Sequence, residues 1–414
     1  AIRVERAGRS QTVPVRALDR FAHPSAPTAG DAERAPMTRR GFVLFAGERM
    51  AGPAEAPCDV SLCLASGQQL HLAEGPTRQR AGAARQAVLA AVPRPWVTPE
   101  LAARCLEPVV RALAPGRPAV DQVLQIGPPP RPARTTVITV LGDDPDHIRC
   151  RYGLLAGDPA TPTIDLVHVL DRPEHAAGAR RLLEGLAAIY GIGARLLILS
   201  GPAPGAAALN AAAAIAATTT IVFLGPAVQP EQHGWLEQLR RRLILQRKCG
   251  IVGGRTLHAD NSVSDAGAEF ELVGPARRIE VRPRRQGFPR DYLADRTAWR
   301  TGMVPAGAFA IRRALLETVG GFPEGYLGGD LALAELCLEA QARGFQTWTV
   351  STPSLLDLKP RTASRGLDPA AELDRRLLEA RWGDRLRAAA ASATIAADQH
   401  APGASDRVAL WRAA

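Results

Sequence analysis

The sequence predicts an α/β protein, a mostly parallel sheet with helices on both faces, preceded by a small β-rich plus helical N-terminal region. Three observations predict it. From Thr136 onward, short apolar runs alternate with helix-length stretches, the rhythm of βαβ units. Before that point the apolar runs alternate residue by residue, as in antiparallel strands with one face on a core. The chain has 414 residues and is 46% apolar, enough for two or three domains.

In order, residues 1–38 are rich in Ala, Arg and Pro and show no sustained period, so an arm or linker is expected. Residues 39–126 form the small region. "GFVLFAGERM" and "CDVSLCLASGQQLHLAEG" are its strands, and "AGAARQAVLAAV" and "PELAARCLEPVVRALA" its helices, the second with Pro99 in its first turn. "GPPPRPARTT" makes 127–135 a Pro-rich linker. Residues 136–387 are the main domain. Its strands are "TVITVL", "IDLVHVLD", "ARLLILSG", "TIVFLG" and "CGIVGGRTL"; its first helices lie over "HAAGARRLLEGLAAIYG", "GAAALNAAAAIAATT" and "HGWLEQLRRRLILQ". Residues 388–414 are an Ala-rich, helical or frayed tail.

Parallel sheets bind ligands beyond the carboxyl ends of their strands, which selects Gly142 to Asp144, Asp171, Ser200 to Gly205 and Gly225 to Val228. The net charge of +10 is mild for this length, and without interleaved aromatics it argues against a nucleic-acid partner. Cys58, Cys63, Cys105, Cys150, Cys249 and Cys337 form no C-x-x-C pair, so dispersed reduced thiols, suited to the cytoplasm, are expected rather than zinc ligands. No run approaches the length of a membrane-spanning helix, and "AIRVERAGRS" has no apolar leader core; the absent Met suggests a trimmed chain. Phosphate-loop, nucleophile-elbow and zinc-protease motifs are missing.

Six segments carry a resemblance: "SGPAPGAAALNAAAAIA", "IVFLGPAVQPEQHGWLEQL", "IVGGRTLHADNSVSDAGAEF", "GAFAIRRALLETVGGFPEGYLGGD", "AELCLEAQARGFQTWTVSTPSLL" and "AELDRRLLEARWGDRL". Taken in this order they resemble family 2 glycosyltransferases of the GT-A fold, over about 135–386. The resemblance implies that Asp171 lies near the nucleotide base and that Gly205, Asn210, Gly225 and Ala227 line the donor site. It also implies an acidic triplet holding a divalent cation against the donor diphosphate. This chain has Gly225, Pro226 and Ala227 there. Where the family carries a Glu-Asp pair that includes its base, this chain has Ala332 and Leu333, leaving Glu335 as the last acid. The usual His past the next strand is absent, with Asp357 the nearest polar residue.

The expectation is a degenerate member, a pseudoenzyme of glycan or polysaccharide metabolism that keeps the nucleotide-sugar-binding fold for binding or assembly beside a protein partner, in the cytoplasm or peripheral to the inner membrane. The alternative is an active, metal-independent transferase with basic side chains stabilising the diphosphate and Asp330 or Glu335 as its catalytic base. No cofactor is predicted beyond a nucleotide sugar as ligand, and the triplet argues against manganese or magnesium. The plainer readings stay open beside these: Asp171, Asp143 and Asp144 as turn or cap residues, Asp330 as an N-cap, Glu335 as solvated or capping, His168 as a core histidine, and the arginines from Arg277 to Arg296 as a basic hairpin.

Overall fold

The computed structural model describes residues 2–6, 9–13, 19–21, 41–43, 58–63, 66–75, 81–90, 92, 97–114, 118–142, 144–201, 203, 205–275, 277–293, 297–359, 368–398 and 407–408. Asp143 and much of the expected arm and tail lie outside them. The chain divides into two compact units, 1–116 with 363–373, and 117–362 with 374–414.

In the first unit, β1 (Ile2–Arg6), β2 (Arg9–Val13), β3 (Asp19–Phe21), β4 (Gly41–Val43), β5 (Cys58–Cys63) and β6 (Gln69–Gly75) precede α1 (Ala81–Ala90). β2-β1-β5-β6 is a four-stranded antiparallel sheet, and β3 pairs with β4. Residues 2–6 and 9–13, expected as part of a linker or loosely docked arm, are strands: β1 takes the open edge of β5, satisfying backbone groups that an isolated hairpin would leave to water. Thr98 caps α2 (Pro99–Leu101), its hydroxyl accepting from Leu101 N at 3.1 Å; a π-helical turn (Ala102–Leu106) and α3 (Glu107–Ala112) follow.

The second unit is mixed α/β with a large, mostly parallel central sheet. Its elements are β7 (Val120–Ile126), β8 (Thr135–Val140), α4 (Pro145–Ala156), β9 (Ile164–Leu170), α5 (Ala176–Tyr190), β10 (Ala194–Leu199), α6 (Gly205–Ile215), β11 (Thr220–Leu224), β12 (Val228–Pro230) and α7 (Trp235–Leu245). β13 (Cys249–Leu257), β14 (Val263–Asp265), β15 (Ala268–Val273), β16 (Arg278–Pro283), β17 (Ala298–Arg300), β18 (Ala308–Arg312) and α8 (Arg313–Thr318) follow. α9 (Gly329–Ala342), β19 (Gln346–Asp357), α10 (Pro369–Asp398) and β20 (Arg407–Val408) complete the chain. The eleven-stranded sheet runs β12-β19-β13-β18-β11-β8-β9-β10-β7, with β14 on β13 and β17 on β19. β8, β9, β10 and β11 are parallel; β18 reverses, and β13 and β19 resume the first direction.

Strands β9, β11 and β13 are buried along their whole length, the signature of a sheet covered on both faces. Alternation divides the core. Ile138, Val167, Val169 and Leu197 face α6, α9 and α10, whereas Val137, Leu166, Leu196 and Ile198 face α4, α5 and α7. Gly191, in the left-handed conformation at φ 67°, ends α5, its N–H donating to Ala187 O. The Pro-rich stretch 127–135, expected as a linker, lies inside this unit: β7 pairs with β10, and Arg131 and Arg134 N–H groups donate to Pro162 and Thr163 O at 3.0 and 2.9 Å.

Candidate functional site

Parallel β8, β9, β10 and β11 bring their carboxyl ends to one edge, so Gly142, Asp171, Ser200 and Gly225 share it. Glycines let the segments close up. A Cβ on Gly142 would stand 3.2 Å from Pro226 Cβ, and one on Gly205 would stand 4.0 Å from Gly329 Cα. The amino ends of α6 and α9 are thus neighbours, and Asp330, in the first turn of α9, reaches the same edge. Its N-cap is Gly328 rather than Asp330. Asp374, from α10, accepts from Leu327 N at 2.7 Å and Gly328 N at 2.8 Å and so fixes the entry to α9.

The Gly225–Val228 segment is a β-turn closed by Val228 N donating to Gly225 O at 3.1 Å, with Pro226 at the position that suits its fixed φ. Gly225 N donates to Gly307 O at 2.8 Å, and Leu358 N donates to Ala227 O at 3.0 Å. Beneath the turn lies Arg151, fully buried. One of its terminal nitrogens donates to Gly225, Pro226 and Val228 O, each at 2.9 Å, and the other to Thr139 Oγ1 at 3.1 Å. All four carbonyls of the turn are therefore spent inside the protein. Burial lowers the guanidinium to about 10, and among the described residues no carboxylate pairs with it.

Across the edge the chemistry reverses. Asp357 lies opposite Val228 in the β12–β19 pairing; its carboxylate accepts from Ser264 Oγ at 3.0 Å and Lys359 N at 3.1 Å. Asp265, at the end of β14, accepts from Gly267 N at 2.8 Å and Ala306 N at 3.0 Å. Burial raises its carboxyl above the usual range; the two N–H groups pull it back, and the charges of Asp330 and Asp357 push it up again. Asp330 itself is exposed. Asp265 and Asp374, each a lone acid in a turn-like or helical context, carry no sequence signal, and neither does Arg151, since a basic residue is ordinarily solvated.

The remaining candidates hold scaffold. Asn210 Nδ2 donates to Phe322 O at 2.9 Å and its Oδ1 accepts from Phe322 N at 2.7 Å, tying α6 to the turn at Gly321, where φ is +86°. Glu335 is buried and accepts from Tyr326 Oη and from Arg381 at 3.1 Å. Burial, then the Glu335 carboxylate, raises the Tyr326 hydroxyl. Ala332 and Leu333 are packed in the core. His168 is fully buried beside Tyr152 Oη at 3.3 Å, and burial followed by the Arg151 charge lowers it to about 3, so it is neutral. In the basic run, Arg282 pairs with Glu280 at 3.1 Å, Arg284 with Glu269 at 3.4 Å and Arg290 with Glu231 at 2.7 Å, the arrangement of a solvated hairpin; 294–296 lie outside the described residues. Asp144 caps α4, accepting from Asp146 N at 2.9 Å.

No family model matches the chain, and no curated protein matches it either. Among solved structures it is similar to GalNAc-T7 with UDP, GalNAc and Mn2+ (14% identity, TM-score 0.47), covering 60% of this chain and 48% of that one, about half its length. It is also similar to the mannosyltransferase PcManGT from Pyrobaculum calidifontis in complex with GDP-Man and Mn2+ (16% identity, TM-score 0.41), covering 77% of this chain and 90% of that one. Both neighbours are Mn2+ complexes, against the expectation here of no cofactor and doubtful manganese or magnesium. That expectation rested on the Gly225–Ala227 triplet, which offers only backbone carbonyls, and did not count Asp265.

Among the described residues no three His, Cys, Asp or Glu side chains stand close enough to hold one ion. A small hard cation commonly takes only one or two carboxylates and completes its shell with water and substrate phosphates. Asp265, Asp330 and Asp357 are the acids near one another at this edge. Among the described residues no helix is long and apolar enough to cross a membrane.

Proposed function

We propose that the second unit binds a nucleotide diphosphate sugar at the carboxyl edge of its sheet, together with a divalent cation of the Mn2+ class, and that it is a degenerate family 2 glycosyltransferase domain kept for binding or assembly in glycan synthesis. In this reading Asp171 lies toward the base, Gly205, Gly225 and Ala227 line the diphosphate, and Asn210 holds the turn beside them. Asp357, with Asp330 or Asp265, would hold the cation, whose chemistry is to neutralise charge on the diphosphate. The five cysteines with described side chains are free thiols, which suits a reducing compartment.

One observation carries the binding-over-turnover reading. Ala332 and Leu333 are sealed in the core, and Glu335 is consumed by Tyr326 and Arg381. A general base must reach the acceptor hydroxyl, and these positions offer none. A second reading, an active transferase, rests on Asp330, which is exposed and follows the Gly328–Gly329 pair. Turnover separates the two. Binding of a nucleotide sugar with Mn2+, without transfer or donor hydrolysis, is the expected result. A donor-specific rate that collapses in Asp330→Asn would establish the active reading in its place.

A further inference from the structure

The Gly225–Val228 turn has an inverted polarity. In a trans peptide the C=O and the following N–H point in opposite directions. The Pro226 carbonyl points at Arg151, so the Ala227 N–H points away from it. Gly225 N donates to Gly307 and Val228 N to Gly225, while Pro226 has no N–H. Ala227 is only 3% exposed, and among the described residues its N–H meets no acceptor. A buried, unspent backbone donor is uncommon and needs a partner from outside the chain.

Arg151 is what imposes this polarity. A buried cation without a carboxylate must find its compensation in dipoles, and it finds three carbonyls of one turn. Met or Leu at 151 would remove the donor that orients the Pro226–Ala227 peptide. Beside the turn, the amino ends of α6 and α9 add partial positive charge at the same edge.

We propose that Arg151 is a positioning residue for anion recognition: it draws the carbonyls of Gly225, Pro226 and Val228 inward and presents the Ala227 N–H to the diphosphate of the ligand. The inference deepens the nucleotide-sugar reading and rests on it for the identity of that diphosphate. It assigns the anion-binding role of this turn to a residue 74 positions away in sequence from Gly225.

The test is titration of inorganic pyrophosphate in the presence of Mn2+, read by calorimetry and by the amide resonance of Ala227. The wild-type chain should bind and the Ala227 amide proton should move downfield. Arg151→Met should weaken binding by roughly tenfold or more, the worth of a charge-assisted hydrogen bond. Arg151→Lys, whose ammonium keeps three donors and the charge, should stay within about threefold of wild type. Ile148→Ala, a cavity on the same helix, should lower the melting temperature and leave pyrophosphate affinity unchanged. The proposal is overturned by a wild-type chain that does not bind pyrophosphate, by an Ala227 amide that does not respond, by equal affinity in Arg151→Met, or by an equal loss in Ile148→Ala. If Arg151→Met does not fold, Arg151→Lys decides: retained binding supports the proposal and lost binding overturns it. A chain that binds pyrophosphate through Ala227 but binds neither UDP, GDP nor any nucleotide sugar would leave this inference standing and defeat the nucleotide-sugar reading.

Discussion

The two sides of the sheet's carboxyl edge are built from opposite chemistry. On one side, the Gly225–Val228 turn carries no acid and folds its carbonyls over the buried cation of Arg151. On the other, Asp265, Asp330 and Asp357 converge closely enough for the latter two to raise the Asp265 carboxyl further. A motif read at one position suggests a chemistry deleted. Along the whole edge the charge is divided, with the turn over the Arg151 cation and negative charge supplied by β14, α9 and β19. A site is a sum of charges in space, and a triplet in sequence samples only part of it.

Several measurements would break or sharpen this contrast. The largest effect belongs to Arg151→Met, which takes the guanidinium away from three carbonyls, leaving Gly225 O only the turn's own bond from Val228 N, and should cost roughly 2–4 kcal/mol of stability, read by chemical denaturation. A change within error would mean that the turn holds its shape without the guanidinium. Next is the acidic side: Asp357→Asn keeps the shape and the Ser264 contact but removes a charge, and should weaken Mn2+-dependent nucleotide binding roughly tenfold. Unchanged Mn2+ dependence would remove Asp357 from the cation.

Acid titration probes the same buried cation from behind. His168 is held neutral at about 3 against an ordinary 6.5, by burial first and by Arg151 second. A depressed histidine contributes stability that is complete above pH 6.5 and is lost as pH falls toward 3, on the order of a few kcal/mol. The melting temperature should fall through that window, and His168→Leu should flatten the fall. An acid limb identical in the variant would assign the loss to other groups. The smallest effect separates the two acids of α9. Glu335→Gln keeps an acceptor for Tyr326 but removes the charge that pairs with Arg381 and should cost about 1–2 kcal/mol, whereas exposed Asp330→Asn should change stability by less than about 0.5 kcal/mol. The reverse order would contradict their assigned roles.

Much of the fold was legible because burial on both faces leaves a plain trace. "IDLVHVLD" and "TIVFLG" are continuous apolar runs, and they became β9 and β11. α4 was not read, because its inward face carries Arg151 where a periodic pattern expects an apolar residue. β1 and β2 left little trace in the sequence, because edge pairing on β5 is a tertiary event with little local signature. The site divides the same way. The carboxyl-edge rule places Asp171, Gly205 and Gly225 from topology alone. Asp374, which positions the start of α9, lies 47 residues from the Leu327 amide it binds, and no local pattern marks it. Asn210 was legible as a position and not as a role, since its two bonds to Phe322 span 112 residues.

Binding of the donor tests the account most directly. Calorimetric titration of the full chain with UDP- and GDP-sugars, with Mn2+ and after its removal by chelator, should give saturable binding of at least one nucleotide sugar, weakened when Mn2+ is removed and weakened again in Asp357→Asn. A chain that binds no nucleotide sugar, UDP or GDP with Mn2+ present would contradict the account.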